Sequence, residues 1–366
     1  MHRRLLLSTR KGLFVLCENG ADWRIESHSF VGDHVSLALV DPRDGSWYAA
    51  LNLGHFGVKL HRSGDHGANW QEIAVPAYPA GEMLATGDGK PAVAATLKLL
   101  WSLETGGVDE PGRLWAGTIP GGLFRSDDSG ASWQLVESLW NIPQRAQWFG
   151  GGYDQPGIHS ICVDPRDARV LRIAVSCGGV WQSDDAGASW RLAASGMHAD
   201  YMPPELRDDP NIQDPHRMVQ CASDPDTLWV QHHNGVFVSR DGARSWHDLP
   251  NLTPSVFGFA VGVHPQDPQT AWFVPAVKDE CRIPVDAQLV VARTRDGGRS
   301  FDTLREGLPQ QHAYDLVYRH GLAVNRDGSL LAMASTTGGL WLSDDQGDHW
   351  RTLSLHLPPV YAVTFA

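Results

Sequence analysis

The residues best able to do chemistry in this sequence are its seventeen histidines and a few arginines and carboxylates around them. Neutral imidazole is the commonest protein ligand for Zn, Cu, Ni or Fe. His55, His159 and His232, with His233, His216 and His320 as alternatives, lie far apart in the chain, so a metal they share must be assembled by the fold. A transition ion such as Zn held by these three, with one position open, would activate water for hydrolysis or lyase chemistry. Glu280 or Asp286 would then serve as base, and Tyr314 completes the candidate catalytic set. A second chemistry needs no metal. Arg10, Arg217, Arg282 and Arg319 present forked donors suited to an anionic ligand, with Arg217 and Arg282 foremost. His55, His159, His232, His233 and His320 add polar contacts, and Trp148 offers a face on which a sugar could stack. For any single histidine the competing reading is a hydrogen-bonded residue lining a channel, and no local spacing such as His-Glu-x-x-His decides between them. Cys177 reads as a buried thiol at a strand end rather than a nucleophile. Asp208, Asp209 and Asp214 read as a solvated loop. Gly150-Gly151-Gly152 has no helix after it and so makes a poor phosphate loop.

These residues are scattered, and a repeated element must gather them. The stretch Ser-x-Asp-x-Gly-x-x-Trp occurs at Ser63–Trp70, Ser126–Trp133, Ser183–Trp190 and Ser343–Trp350. Thr294–Phe301 matches with conservative changes, Ser239–Trp246 has Ala243 in place of the glycine, and Glu18, Gly20 and Trp23 fit a worn seventh copy. The closing aromatics recur every 47 to 63 residues, which marks a repeat architecture. Each copy reads as a tight turn: Asp and Ser oxygens take up nearby backbone N–H groups, and Gly supplies positive φ. The aromatic folds back as an apolar plug between neighbouring strands. Short β-prone runs such as Gly-Gly-Leu-Phe-Arg and Gly-Gly-Val-Trp-Gln precede the turns.

The repeat resembles the Asp-box, or BNR, family, whose members are β-propellers and include sialidases, sortilin-type receptors and photosystem assembly factors. The resemblance implies an all-β fold of seven four-stranded blades across residues 1–366, within the usual range of about 4–8 blades. The first blade lacks an inner strand at the N-terminus, and Val360–Phe365 is left over to supply it, closing the ring and removing its open edges. The sialidase pattern of catalysis does not carry over. That family's Arg-Ile-Pro motif belongs in the first blade, whereas Arg282-Ile283-Pro284 falls in the sixth, and no Tyr/Glu nucleophile pair can be assigned.

If the box joins the third and fourth strands of each blade, one face carries only short turns. The other carries the long connections 73–96, 136–157, 193–216, 275–287 and 305–318. Long loops on a rigid scaffold are where binding and chemistry concentrate. The candidate residues named above all map to that loop face, around the channel mouth. Three functions therefore compete: a small polar or anionic ligand, such as a glycan, bound or hydrolysed; a metal-dependent hydrolase or lyase; and a non-catalytic interaction scaffold.

The totals narrow the field. A formal net charge of −12 argues against a nucleic-acid surface. No run of 18 apolar residues is present, so no membrane span is expected. Leu5-Leu6-Leu7 is too short for a signal-peptide core. Five cysteines, an odd number without metal-type spacing, do not form a disulfide framework, and a cytoplasmic location is expected.

Overall fold

Short apolar runs bounded by Gly and Asp turns become strands buried on both faces when sheets stack side by side. In the computed structural model, which describes residues 3–20, 22–84 and 91–366, this pattern produces seven antiparallel four-stranded sheets, each a blade of one propeller. The second strands show the effect most clearly: Leu114–Ile119 and Leu171–Val175 are buried at every position. The outermost strands are short and open to solvent, as in Gln71–Ile73. Helical structure is confined to single turns such as Glu137–Trp140 and Pro143–Gln147.

The ring closes as the sequence predicts. Val360–Phe365 is the innermost strand of blade 1, pairing antiparallel to Arg4–Thr9 with Leu5 opposite Phe365 and Leu7 opposite Val363. The N–H of Val363 also donates to the His320 carbonyl at 2.8 Å, tying this strand to the entry of blade 7. Seven apolar clusters fill the seven spaces between adjacent blades, so each blade is buried only by its two neighbours.

The repeated turns have one geometry. In the third blade the Ser126 hydroxyl accepts from the Gly130 N–H and donates to Asp128, both at 2.8 Å. Asp128 in turn accepts from the Ser132 N–H at 2.8 Å and from its hydroxyl at 2.6 Å. The copy at Ser239 keeps this network although Ala243 adopts φ 65°, a left-handed conformation that glycine fills more easily. Each closing tryptophan reaches back to the previous blade: Trp246 is 3% exposed and its indole N–H donates to the Ala193 carbonyl at 2.7 Å.

The inner strand of blade 3 begins at Leu99, and the third strand of blade 6 is Val291–Thr294. Just before the latter, the Leu289 N–H donates to the Pro309 carbonyl, which anchors the following connection. Part of the 73–96 connection, residues 85–90, lies outside the described residues. Among the described residues no helix is long and apolar enough to cross a membrane.

Candidate functional site at the channel mouth

The inner strands begin at the loop face, and the residues at those starts meet around the channel. Ile158–Val163 presents His159, Pro215–Gln220 presents His216, and the segment before Leu322–Val324 presents Arg319 and His320. The His320 Nε2–H donates to the His159 carbonyl at 3.0 Å, joining blade 7 to blade 4 across the ring. Arg217 donates to the same carbonyl at 3.1 Å. These contacts form a floor, so the loop-face mouth is a bowl rather than an open pore.

Arg319 lies in this bowl. Its guanidinium sits over Trp101 at 4.8 Å and Phe259 at 5.2 Å. Its Nε is sealed from solvent without a hydrogen-bond partner. Among the described residues it forms no ion pair. Burial lowers its pKa, although a guanidinium stays charged throughout the physiological range. Arg282, from the blade 6 insertion, reaches the other side of Phe259 at 5.3 Å while pairing with Asp279. Tyr153 packs edge-on against Trp101, as does the buried His159.

Beside Arg319 lies a second group that sequence reasoning assigned to a solvated loop. Asp214 is in fact 2% exposed. Three segments bury it. Its backbone N–H donates to His232 Nε2 at 2.9 Å, and its carbonyl accepts from the His233 N–H at 3.0 Å. The Cys177 N–H donates to Oδ1 at 3.2 Å, with the Ser176 hydroxyl at 3.4 Å. Gly151 passes so close that a Cβ there would lie 3.1 Å from Oδ2 and 2.8 Å from Cys177 Sγ, so the 136–157 connection needs glycine at that point. Oδ2 faces His216 Nε2 and His233 Nδ1, each at 3.4 Å. Against the cost of burial, the His216 ring and then its contact with the carboxyl lead the interactions that hold Asp214 well below the usual carboxylate range. The His216 Nδ1–H donates to the Gly258 carbonyl at 2.6 Å, which fixes the ring with Nε2 turned toward Asp214.

The residues expected from the sequence separate into groups. His159, His233, His320 and Arg282 join the bowl or its floor. His55 does not: it stands exposed on the Gly54–Phe56 turn, its ring tilted against Phe56 at 4.0 Å. His232 is buried with its ring nitrogens against the Asp214 and Asn234 N–H groups, and burial pushes its pKa down to about 3. The metal trio His55, His159 and His232 is therefore not brought together, because one member is on the surface and another is spent on backbone bonds. Trp148 is not offered to a ligand; it is 7% exposed, packs on Trp181 and bonds Asn211 at 3.0 Å. Glu280 is exposed beside Lys278, and Asp286 and Tyr314 are also exposed. Arg217 points below the floor, where a cavity of about 500 Å³ is lined by Arg43, Glu104 and Cys162 among others. That lower cavity is ringed by stereotyped turns, and its Arg43 is already neutralised by Asp41 at 2.7 Å. The bowl alone combines long loops with an unspent charge.

Asp214 and His216 could have been paired from the sequence. They stand two residues apart at the start of an inner strand, where side chains i and i+2 share a face. Arg319 is among the four arginines expected to contact an anion, but no local spacing ranks it above Arg10, Arg217 or Arg282.

No family model matches the chain. Over 250 residues it is 25% identical to an oligoxyloglucan-reducing end-specific xyloglucanase of Emericella nidulans, covering 62% of this chain and 27% of that protein. Over 269 residues it is 24% identical to a probable enzyme of the same description from Neosartorya fischeri, covering 66% and 30%. The chain thus spans less than a third of the length of these curated relatives. The GH74 xyloglucanase from Xanthomonas campestris superposes with a TM-score of 0.65 at 18% identity, covering 96% of this chain and 52% of that one. The fold is that of a glycoside-hydrolase-like propeller. It is shared with other proteins: the Pseudomonas aeruginosa periplasmic gluconolactonase superposes with a TM-score of 0.58 at 13% identity over 100% of this chain and 99% of that one. YCF48 bound to D1 peptide gives 0.57 at 13%, over 93% and 89%.

Proposed function

We propose that this protein is a carbohydrate-directed propeller of the Asp-box type that binds a small anionic ligand, an acidic saccharide, in the loop-face bowl. The observation that carries this reading is Arg319. A guanidinium held between two aromatic rings, with no carboxylate of its own, is a site prepared for an anion from outside. Trp101, with Tyr153 at the rim, also suits the apolar face of a sugar, while Phe259 is buried against His216. The two curated relatives are named for action on oligoxyloglucan, which supports a saccharide as the ligand class.

Binding rather than glycosidic cleavage fits the geometry best. Glycoside hydrolysis ordinarily uses two carboxyl groups flanking the bond, roughly 5–9.5 Å apart. Among the described residues Asp214 is the one buried carboxylate at the mouth, since Asp41 and Asp164 are paired with arginines in turns of the opposite face. Glu280 and Asp286, the bases expected from the sequence, project into solvent. The five unpaired cysteines suit a reducing compartment.

Isothermal titration with uronic acids against the matching neutral sugars tests the proposal. The acids should bind and the neutral sugars should bind at least tenfold more weakly. Arg319→Ala should weaken the acid by about 10- to 100-fold, the worth of one charged hydrogen-bonding contact. Equal binding of acid and neutral sugar, or an Arg319→Ala protein that binds as the parent does, would sink it.

A further inference from the structure

We infer that Asp214, His216 and His233 form a site for a first-row divalent transition ion, with zinc as the type case. This site is separate from the anion contact of Arg319 and does not depend on what that ligand is.

Three features carry the inference. The first is spacing. Oδ2 of Asp214 lies 3.4 Å from His216 Nε2 and 3.4 Å from His233 Nδ1, and the three donor atoms fall within 4.8 Å of one another. Those two gaps are longer than an ionic N–H···O bond, which runs about 2.7–2.9 Å. They match the edge of a tetrahedron around an ion with bonds of about 2.0–2.2 Å, which is about 3.3–3.6 Å. The remaining edge, between the two imidazoles, closes by rotation of His233, whose side chain is 22% exposed and free of other hydrogen bonds among the described residues.

The second feature is the support behind each ligand. Metal-bound histidines commonly donate their other ring N–H to a backbone carbonyl, which fixes the tautomer and aims the bare nitrogen. His216 does this through Nδ1 to Gly258 at 2.6 Å. Asp214 is held in the same way, with Oδ1 on the Cys177 N–H and Oδ2 left for the histidines. The backbone of His233 is fixed by its N–H bond to the Asp214 carbonyl. The first ligand is therefore oriented by the same residue that supplies the third.

The third feature is donor chemistry and access. Two imidazoles and one carboxylate suit Zn or Fe better than Ca or Mg, which prefer all-oxygen shells. The ring of Tyr201 packs against His233 at 4.9 Å, leaving the histidine edge as the approach from the mouth. Three protein ligands leave at least one position for water or a ligand oxygen. Arg319 acts on the Asp214 carboxylate only through space, forming no ion pair with it, so Oδ2 remains for the ion.

A proton on either imidazole would also satisfy Asp214, so the experiment must separate proton from metal. The purified protein is stripped with chelator, loaded with excess Zn²⁺, desalted and assayed for metal by mass spectrometry, alongside Asp214→Asn, His233→Ala and the surface control His55→Ala. The parent and His55→Ala should retain about one equivalent and melt at a higher temperature with zinc. Asp214→Asn and His233→Ala should retain less than a tenth and show no zinc-dependent rise. Because His233 is partly exposed, its alanine variant should melt like the stripped parent. If instead it unfolds early, His233→Gln, which keeps the bulk but not the ligand, decides by the same retention. A stripped parent that takes up no zinc, or variants that keep the full equivalent, overturns the assignment. Because no sugar is present, this result stands apart from the titration of uronic acids.

Discussion

His320 and His159 meet across the channel, the Nε2–H of one on the carbonyl of the other at 3.0 Å, although blades 7 and 4 share no interface. Arg217 donates to the same carbonyl from blade 5, so three blades meet at this point beneath the mouth. His320→Ala should lower stability by about 1–2 kcal/mol, the loss of one buried hydrogen bond plus some packing, measured by urea denaturation. An unchanged midpoint would mean that the cross-ring bond contributes nothing.

The repeated turns set the acid limit. The Asn69 side chain holds Asp65 at about 2, and the Ser300 side chain does the same for Asp296, against an ordinary 3.8. Because both folded values lie below the unfolded ones, their stabilisation is complete above about pH 4 and is lost as pH falls toward about 2. The melting temperature should decline through that window, and Asp296→Asn should flatten part of the decline. A transition finished above pH 5, or one indifferent to Asp296→Asn, would contradict this.

The plugs between blades should be costly to remove. Trp246→Ala empties a buried site and strands the Ala193 carbonyl, so a loss of about 3–5 kcal/mol is expected by denaturant titration. Trp246→Phe should cost less, because the ring is largely retained. A loss under about 1 kcal/mol for the alanine variant would show that the neighbouring blades collapse to fill the gap.

Two thiols should be inert until unfolding. Burial pushes Cys162 up to about 12, and burial together with the adjacent Asp214 carboxylate raises Cys177 further. The thiolate is the reactive form. Alkylation with iodoacetamide at pH 8, followed by peptide mass spectrometry, should leave both unmodified in native protein and label both in urea. Rapid native labelling of Cys177 would show that the loop over Gly151 opens.

The fold was legible because its signal is local and repeated. Ser, Asp and Gly two residues apart define a turn wherever they occur, and a tryptophan three residues later needs a neighbour to bury it. The unclaimed strand Val360–Phe365 then fixed the number of blades. The site was harder to read because burial there is a tertiary property. In the run Asp208-Asp209-Pro210-Asn211-Ile212-Gln213-Asp214, the last carboxylate looks like the first two; only Cys177 and Gly151, from other loops, take it out of water. His55 failed for the opposite reason: it stands at the expected edge of a blade, but on a turn whose φ values swing it outward. Arg319 is one of four arginines the sequence offers for an anion, and nothing in sequence distinguishes a paired guanidinium from one without an ion pair.

The pairing of Leu5 with Phe365 has a consequence for biosynthesis. As the chain leaves the ribosome, blades 2 to 7 can each acquire four strands in order, but the first blade waits with an uncovered edge until Val360–Phe365 emerges. The nascent protein therefore carries an adhesive strand, Arg4–Thr9, until that segment is made. A stalled or truncated product would keep that edge exposed and should be the species that chaperones hold and aggregates recruit.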